Sequence, residues 1–377
     1  TFGATVTKMT QEQIPLPLVL SPIIHGLVNL FFAVHRERLF TTQTVGELII
    51  GKRIGMLDTI TTLLKPLDWF GITLEEFPKE AIPPNNEFGL LAGRNDTPEG
   101  PYEVYTGLTD AGPVLQFVSY KDQKKLKWWK GDRCNQINGS DGSLFKAGLQ
   151  PEDKLYAFAA DICRSAALIY VRESEFMGIP SFRYEGDPIF MDAHAPENEC
   201  FCMYKNENKC KIDGLFDLSH CQFGAPLLLT SPHFIFFPDL QKNIDGLTPN
   251  IDDHMTYVEV QPTLGAVLYG IKRIMFVIRV ENNPGIRNIR NNFIPFVWAE
   301  ESGGLNDELA NQLLYSFVYP VRGASAATAG IGVAGIATIV TALGRKYYNR
   351  APKTGAAYGP NIYDDKTKRT TVKDTNE

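Results

Sequence analysis

Six cysteines lie between residues 134 and 221, and the rest of the chain has none. They are Cys134, Cys163, Cys200, Cys202, Cys210 and Cys221. An even set confined to one stretch reads as a disulfide framework formed in an oxidising compartment. Zinc is the competing reading, but the one close pair, Cys200-Phe201-Cys202, is too tight for a zinc knuckle. Six cysteines allow 15 pairings. If Cys200-Phe201-Cys202 is extended, its two sulfurs point to opposite faces and each must find a different partner. Cys210 is the near one, with the polar residues Lys205 to Lys209 as a turn. Each bridge should contribute about 2–4 kcal/mol, mostly through the unfolded state.

With 377 residues and 44% hydrophobic content, the chain can bury a large core. Its net charge of −6 argues against nucleic acid as the main partner. Thr1 is not a methionine and no signal-like segment opens the chain, so the sequence reads as a fragment or a processed form. Two sequons, Asn95-Asp96-Thr97 and Asn138-Gly139-Ser140, fit glycosylation on the secreted side, although Pro98 weakens the first. Ala324 to Gly344 is an uncharged run of 21 residues. At ~1.5 Å per residue it can cross ~30 Å of hydrocarbon. Arg345, Lys346 and Arg350 follow it, with Tyr347 and Tyr348 suited to the headgroup layer. This flank places residues 345–377 in the cytosol and the cysteine block outside. The tail, with eight Lys or Arg against four acidic residues and no apolar period, is expected to be disordered beside the anionic inner leaflet.

Along the chain, Ser21-Pro22 is a good helix start, and apolar residues recur at helical spacing through Val34 up to Arg38. Short helices are expected over Thr44 to Gly51 and Leu57 to Leu64. From Phe88 onward the pattern changes to strands punctuated by Gly, Pro, Asn and Asp. Expected strands are Tyr102 to Thr106, Val114 to Tyr120, Ala166 to Val171, Ser181 to Tyr184 and Leu227 to Thr230. Later ones are His233 to Phe237, Met255 to Val260, Gly265 to Val280 and Phe293 to Trp298. Gly265 to Val280 is long enough to be bent or bulged. Leu305 to Phe317 reads as an amphipathic helix running almost directly into the span.

No enzymatic constellation appears: no nucleophile elbow, no zinc-protease helix and no phosphate-binding glycine loop. Asp192-Ala193-His194 reads as a solvated turn, and His233 as a structural histidine. No metal or other cofactor is expected. The run Lys121 to Arg133 interleaves five lysines and an arginine with Trp128 and Trp129. It reads as a solvated hairpin face, or as a surface for an anionic ligand or phospholipid. Ala326, Gly330, Ala334 and Thr338 place small residues four apart, a face that would let the span form a homodimer or pack on another helix.

Together these segments resemble the scavenger receptor class B family, which includes fatty-acid translocases, lysosomal integral membrane proteins and insect sensory neuron membrane proteins. The resemblance runs from about Thr44 to Leu343. It rests on Asp161-Ile162-Cys163-Arg164-Ser165, Gly178-Ile179-Pro180, Arg183-Tyr184 and Cys200-Phe201-Cys202. Gly214 to Leu218, Pro232-His233-Phe234, Ile244-Asp245-Gly246-Leu247, Glu259 to Gly265, Lys272-Arg273 and Ile294 to Glu300 continue it in family order. The resemblance implies a mostly β fold with a helical apex, an antiparallel β-barrel ectodomain with an apolar tunnel, and a C-terminal transmembrane helix. It implies the pairs Cys134–Cys200, Cys163–Cys221 and Cys202–Cys210. It places Ile24, Leu27, Phe31, Arg36 and Arg38 at a ligand-meeting apex. Set against the family the chain resembles, the sequence is expected to lack an N-terminal span and the first part of the ectodomain. The tail has no cysteine to palmitoylate and no acidic dileucine signal, which disfavours a lysosomal assignment.

The expected organisation is an ectodomain over 1–323, a span over 324–344 and a cytoplasmic tail over 345–377. The expected function is a non-enzymatic plasma-membrane receptor that binds fatty acids, sterols, lipoprotein or other lipids and passes them toward the bilayer. The alternative is a receptor that docks proteins, such as lipoproteins, apoptotic-cell ligands or a cargo enzyme, on its apex helices.

Overall fold

The structure is a computed structural model. It describes residues 42–55, 86–89, 91–92, 96–108, 113–222, 227–281 and 290–350, with single positions at 34, 58 and 225. The expected helices over Ser21 to Arg38 and Leu57 to Leu64 lie outside the described residues apart from Val34 and Asp58. Two compact units divide at Gln312 and Leu313.

In the first unit, helix α1 (Val45–Ile49) starts at a capping box. The Thr44 hydroxyl accepts from the Glu47 N–H, and the Glu47 carboxylate accepts from the Thr44 N–H. Strands β1 (Lys52–Arg53), β2 (Glu87–Phe88), β3 (Tyr102–Val104) and β4 (Phe117–Tyr120) form two small ribbons. The main sheet contains β5 (Leu155–Ala159), β6 (Arg164–Phe176), β7 (Ile179–Gly186), β8 (Phe216–Asp217), β9 (Leu227–Thr230), β10 (Tyr257–Gln261), β11 (Ala266–Val280) and β12 (Asn292–Gly304). Its order is β5-β6-β7-β10-β11-β9-β8, with β12 also on β11, and every strand pair is antiparallel. Among the described residues, no pairing closes this path into a barrel.

β11 is the spine. Ile271 pairs with both Tyr257 of β10 and Ser302 of β12, while Met275 pairs with both Thr230 of β9 and Trp298 of β12. One edge of β11 therefore carries β10 and then β9, and the other carries β12 alone. The expected irregularity is present as a register shift between Phe276 and Val277. Opposite charges face each other across this ladder: Lys272 meets Glu301 at 2.5 Å and Arg273 meets Glu300 at 2.7 Å.

At β9 both faces of the sheet are covered. Leu228 and Leu229 are consecutive and both are buried. Because side chains alternate along a strand, they enter different cores. Leu228 packs with Leu215, Phe234, Met275 and Val277. Leu229 packs with Trp129, Cys163, Phe216 and Leu218.

His233 to Phe237 is not a strand. Pro232 opens a 3-10 turn over Pro232–Phe234, and His233 and Phe234 take positive φ of 52° and 51°. The turn buries Phe234 completely while Phe236 stays 49% exposed, so an apolar run that looks strand-like is spent on a corner. Two short helices follow, α2 (Pro238–Gln241) and α3 (Ile251–His254).

At its C-terminal end the chain is helical through α4 (Asp307–Leu313), a π-turn over Leu314–Val318 and α5 (Tyr319–Arg350). Together they make one run of 44 residues with the length and apolar composition to cross a membrane. Ile331, Val333, Ile336, Ile339, Val340 and Leu343 are all exposed, and Tyr347 and Tyr348 follow them. Ser325, Thr328, Thr338 and Thr341 donate their hydroxyls to carbonyls one turn back, so this polar minority is satisfied within the helix.

Candidate functional site

The cysteine block folds into one stapled wall. Cys134 is joined to Cys200, Cys163 to Cys221, and Cys202 to Cys210, with Cα separations of 5.9, 6.3 and 5.5 Å. All six cysteines are paired. The extended reading of Cys200-Phe201-Cys202 is corrected. Pro196 starts a 3-10 helix over Pro196–Phe201, and Cys202 caps it. Cys200 still parts from Cys202, because one lies in the last turn and the other at the cap. Cys210 likewise caps a 3-10 turn over Glu207–Lys209.

The wall is lined by aromatics around a cation. The Trp129 indole donates to the carbonyl of Cys163 at 2.8 Å, with its ring edge-on to Phe201. The guanidinium of Arg164 lies 3.9 Å from the Phe201 centroid, 4.2 Å from Phe190 and 4.9 Å from Phe216. Its Nη2 donates to Asn198 Oδ1 at 3.0 Å, and among the described residues its Nε has no hydrogen-bond partner. Burial pushes Arg164 down to about 9, which leaves it charged at neutral pH. The arrangement binds the Pro196–Phe201 turn to the start of β6 by stacking. Arg164 belongs to the segment Asp161-Ile162-Cys163-Arg164-Ser165, but its aromatic cage comes from residues 26 to 52 positions away, which no local pattern reveals.

Beside the wall, a cleft of about 260 Å³ is lined by Lys130, Arg133 and Lys211 against Glu199 and Glu207, over Cys200 and Cys202. Its lining is charged, which does not suit an apolar ligand.

The turn at Asp192 is a capped surface loop, as its composition suggests. Asp192 Oδ1 accepts from the N–H groups of His194 and Ala195, while Asp213 Oδ1 accepts from Ala193 and lies 3.0 Å from His194 Nδ1. The three side chains converge and are exposed, but these carboxylate oxygens are already committed to backbone donors. His233 meets His254 and Trp298, neither of which the spacing of its own segment could indicate.

Of the predicted glycosylation positions, Asn95 lies outside the described residues, and Asn138 is half-buried with its N–H donating to Ser165 Oγ. Ile24, Leu27, Phe31, Arg36 and Arg38 also lie outside the described residues.

Comparison with known proteins supplies the context for this sheet, its three bridges and its apolar helix. The model of the CD36 family matches residues 9–345. The chain belongs to the CD36 family. The match begins earlier than the resemblance read from motifs, which started near Thr44. Lysosome membrane protein 2 of Rattus norvegicus is 29% identical over 313 residues, covering 82% of this chain and 59% of the relative. Scavenger receptor class B member 1 of Bos taurus is 29% identical over 75% of this chain and 53% of its own length. Sensory neuron membrane protein 1 of Aedes aegypti is 34% identical over 64% and 46% respectively. The chain thus spans about half to three-fifths of the length of the curated relatives it matches. As a CD36-family member it is a membrane protein, and α5 is its candidate span.

Proposed function

We propose that this chain is a plasma-membrane receptor of the scavenger type that binds hydrophobic ligands and passes them toward the bilayer, without enzymatic turnover or a cofactor. The observation that carries the reading is an antiparallel, disulfide-stapled sheet and an apolar helix within one CD36-family match. Support also comes from the names of the relatives, one a scavenger receptor and two membrane proteins. In this reading the sheet is part of a β-barrel around an apolar tunnel in an ectodomain over 1–323. Residues 324–344 cross the membrane, and 345–377 lie in the cytosol. Asn95 and Asn138 carry glycans. Ile24, Leu27 and Phe31 receive the apolar part of a fatty acid, sterol or lipoprotein lipid, while Arg36 and Arg38 hold an anionic head. Shielding each methylene from water is worth ~0.8 kcal/mol.

The test is lipid loading of the full chain in nanodiscs with a radiolabelled long-chain fatty acid and a cholesteryl ester. Retention of either one supports the reading, and retention of neither removes it. The protein-docking alternative is separated by Leu27→Ser, Phe31→Ser and Arg36→Glu. A lipid gate loses loading in these variants, whereas a docking surface loses protein binding and keeps loading.

A further inference from the structure

The segment from Lys121 to Arg133 carries six cations and two acids in a chain whose net charge is −6. Lys121, Lys124, Lys125, Lys127, Lys130 and Arg133 are all exposed. The backbone beneath them is held firmly. Leu126 and Trp129 are buried, the Leu126 N–H donates to Asn135 O, and Lys125 pairs with Gln136. The Asn135 side chain clamps the turn by accepting from Trp129 N–H and donating to the carbonyls of Trp129 and Gly131. Cys134 fastens its end to Cys200, and the Lys130 N–H donates to Cys200 O.

Little of this charge is neutralised locally. Lys125 pairs with Asp132 at 2.8 Å. Lys130 faces Glu207, which is already paired with Lys211 at 2.6 Å. Among the described residues, Lys124 and Lys127 have no ion-pair partner. The tryptophans are not part of the exposed surface. Trp129 is 5% exposed, and Trp128 is half-buried against two of the cores. A segment that settled on a bilayer would need such rings free to enter the headgroup layer. What remains is a cluster of exposed ammonium groups on a pinned backbone, which suits a soluble polymer of fixed negative charge. The neighbouring disulfides place it in an oxidising compartment, where such polymers are sulfated polysaccharides rather than nucleic acid.

We propose that the Lys121–Arg133 ribbon is a docking surface for a sulfated glycosaminoglycan, separate from the lipid-binding role. The lysines engage successive sulfates as point charges, and association is driven largely by counterion release.

The experiment uses the full chain in neutral phosphatidylcholine nanodiscs and measures binding to immobilised heparin across a salt series. The triple variants Lys124→Gln/Lys127→Gln/Lys130→Gln and Lys124→Arg/Lys127→Arg/Lys130→Arg are compared with the native chain, along with uncharged dextran and phosphatidylserine vesicles. The native chain should bind heparin at about 0.15 M salt and ignore dextran. The glutamine variant should weaken binding by about two orders of magnitude and lower the salt slope by roughly one per lysine removed. The arginine variant should retain binding. Intact bridges on a non-reducing gel and unchanged fatty-acid loading establish that the glutamine variant is folded. Equal heparin binding by folded native and glutamine proteins overturns the proposal. So does lysine-dependent binding to phosphatidylserine vesicles as tight as that to heparin, which would assign the ribbon to a membrane surface.

Discussion

His233 stacks face to face on His254, with ring centroids 4.3 Å apart and planes 11° from parallel. Each Nδ1 accepts a backbone N–H, that of Thr248 for His233 and that of Asn250 for His254. Trp298 of β12 meets both rings edge-on, so three distant segments converge on the pair.

Burial holds the His254 imidazole below its ordinary value of 6.5, and His233 and Arg273 act in the same direction while Asp253 opposes them. The folded protein therefore favours the neutral ring. The unfolded chain takes up the proton with ordinary affinity, so stability is full above about 6.5 and is lost as pH falls through it. Urea melts of the full chain between pH 7.5 and 5 should show this decline, and His254→Gln should flatten it. A native chain equally stable across the range would contradict the assignment.

Removing Arg164 should be costly. Arg164→Ala empties the space between Phe190, Phe201 and Phe216 and strands Asn198 Oδ1, a loss of about 3 kcal/mol. Arg164→Lys should recover only part of it, since an ammonium cannot stack as a plane. Chemical denaturation measures both.

Gly265 turns β10 into β11 at φ +73°, and a Cβ there would meet Phe145 O at 2.3 Å and Lys146 O at 2.4 Å. Gly265→Ala should cost about 2–4 kcal/mol. Gly303→Ala, in open space on β12, should change the melting temperature little. Equal effects would refute the distinction.

The bridges should rank by the chain they close. Cys163 and Cys221 are 58 residues apart and Cys202 and Cys210 only 8. Replacing both cysteines of a pair by alanine should cost about 4 kcal/mol for the first and about 2.5 kcal/mol for the second. Denaturation midpoints of the paired variants give the order.

β9 was legible to the residue because Leu227 to Thr230 is a short apolar run between punctuating residues, and β11 nearly so. β6 runs on through Arg172, Glu173, Ser174 and Glu175, which no apolar pattern marks, because β7 supplies their partners. β12 likewise reaches Gly304 by following β11. β5, Leu-Tyr-Ala-Phe-Ala, was missed because small residues dilute its alternation. For the stapled wall, spacing indicated oxidation but not the pairs, which came from family resemblance. The cage around Arg164 and the stack at His233 are tertiary facts, set by which loops the sheet brings together.

All three bridges begin and end within residues 134–221, so no covalent tie joins that segment to β10, β11 or β12 except the chain itself. Lys242 lies exposed in the single connection between them. One tryptic nick there would leave two polypeptides held only by noncovalent contacts, among them β7–β10 and β9–β11 pairing and the core around Leu228, Met275 and Val277. The nicked molecule would migrate as one particle in native conditions and as two fragments in detergent, even with every disulfide intact.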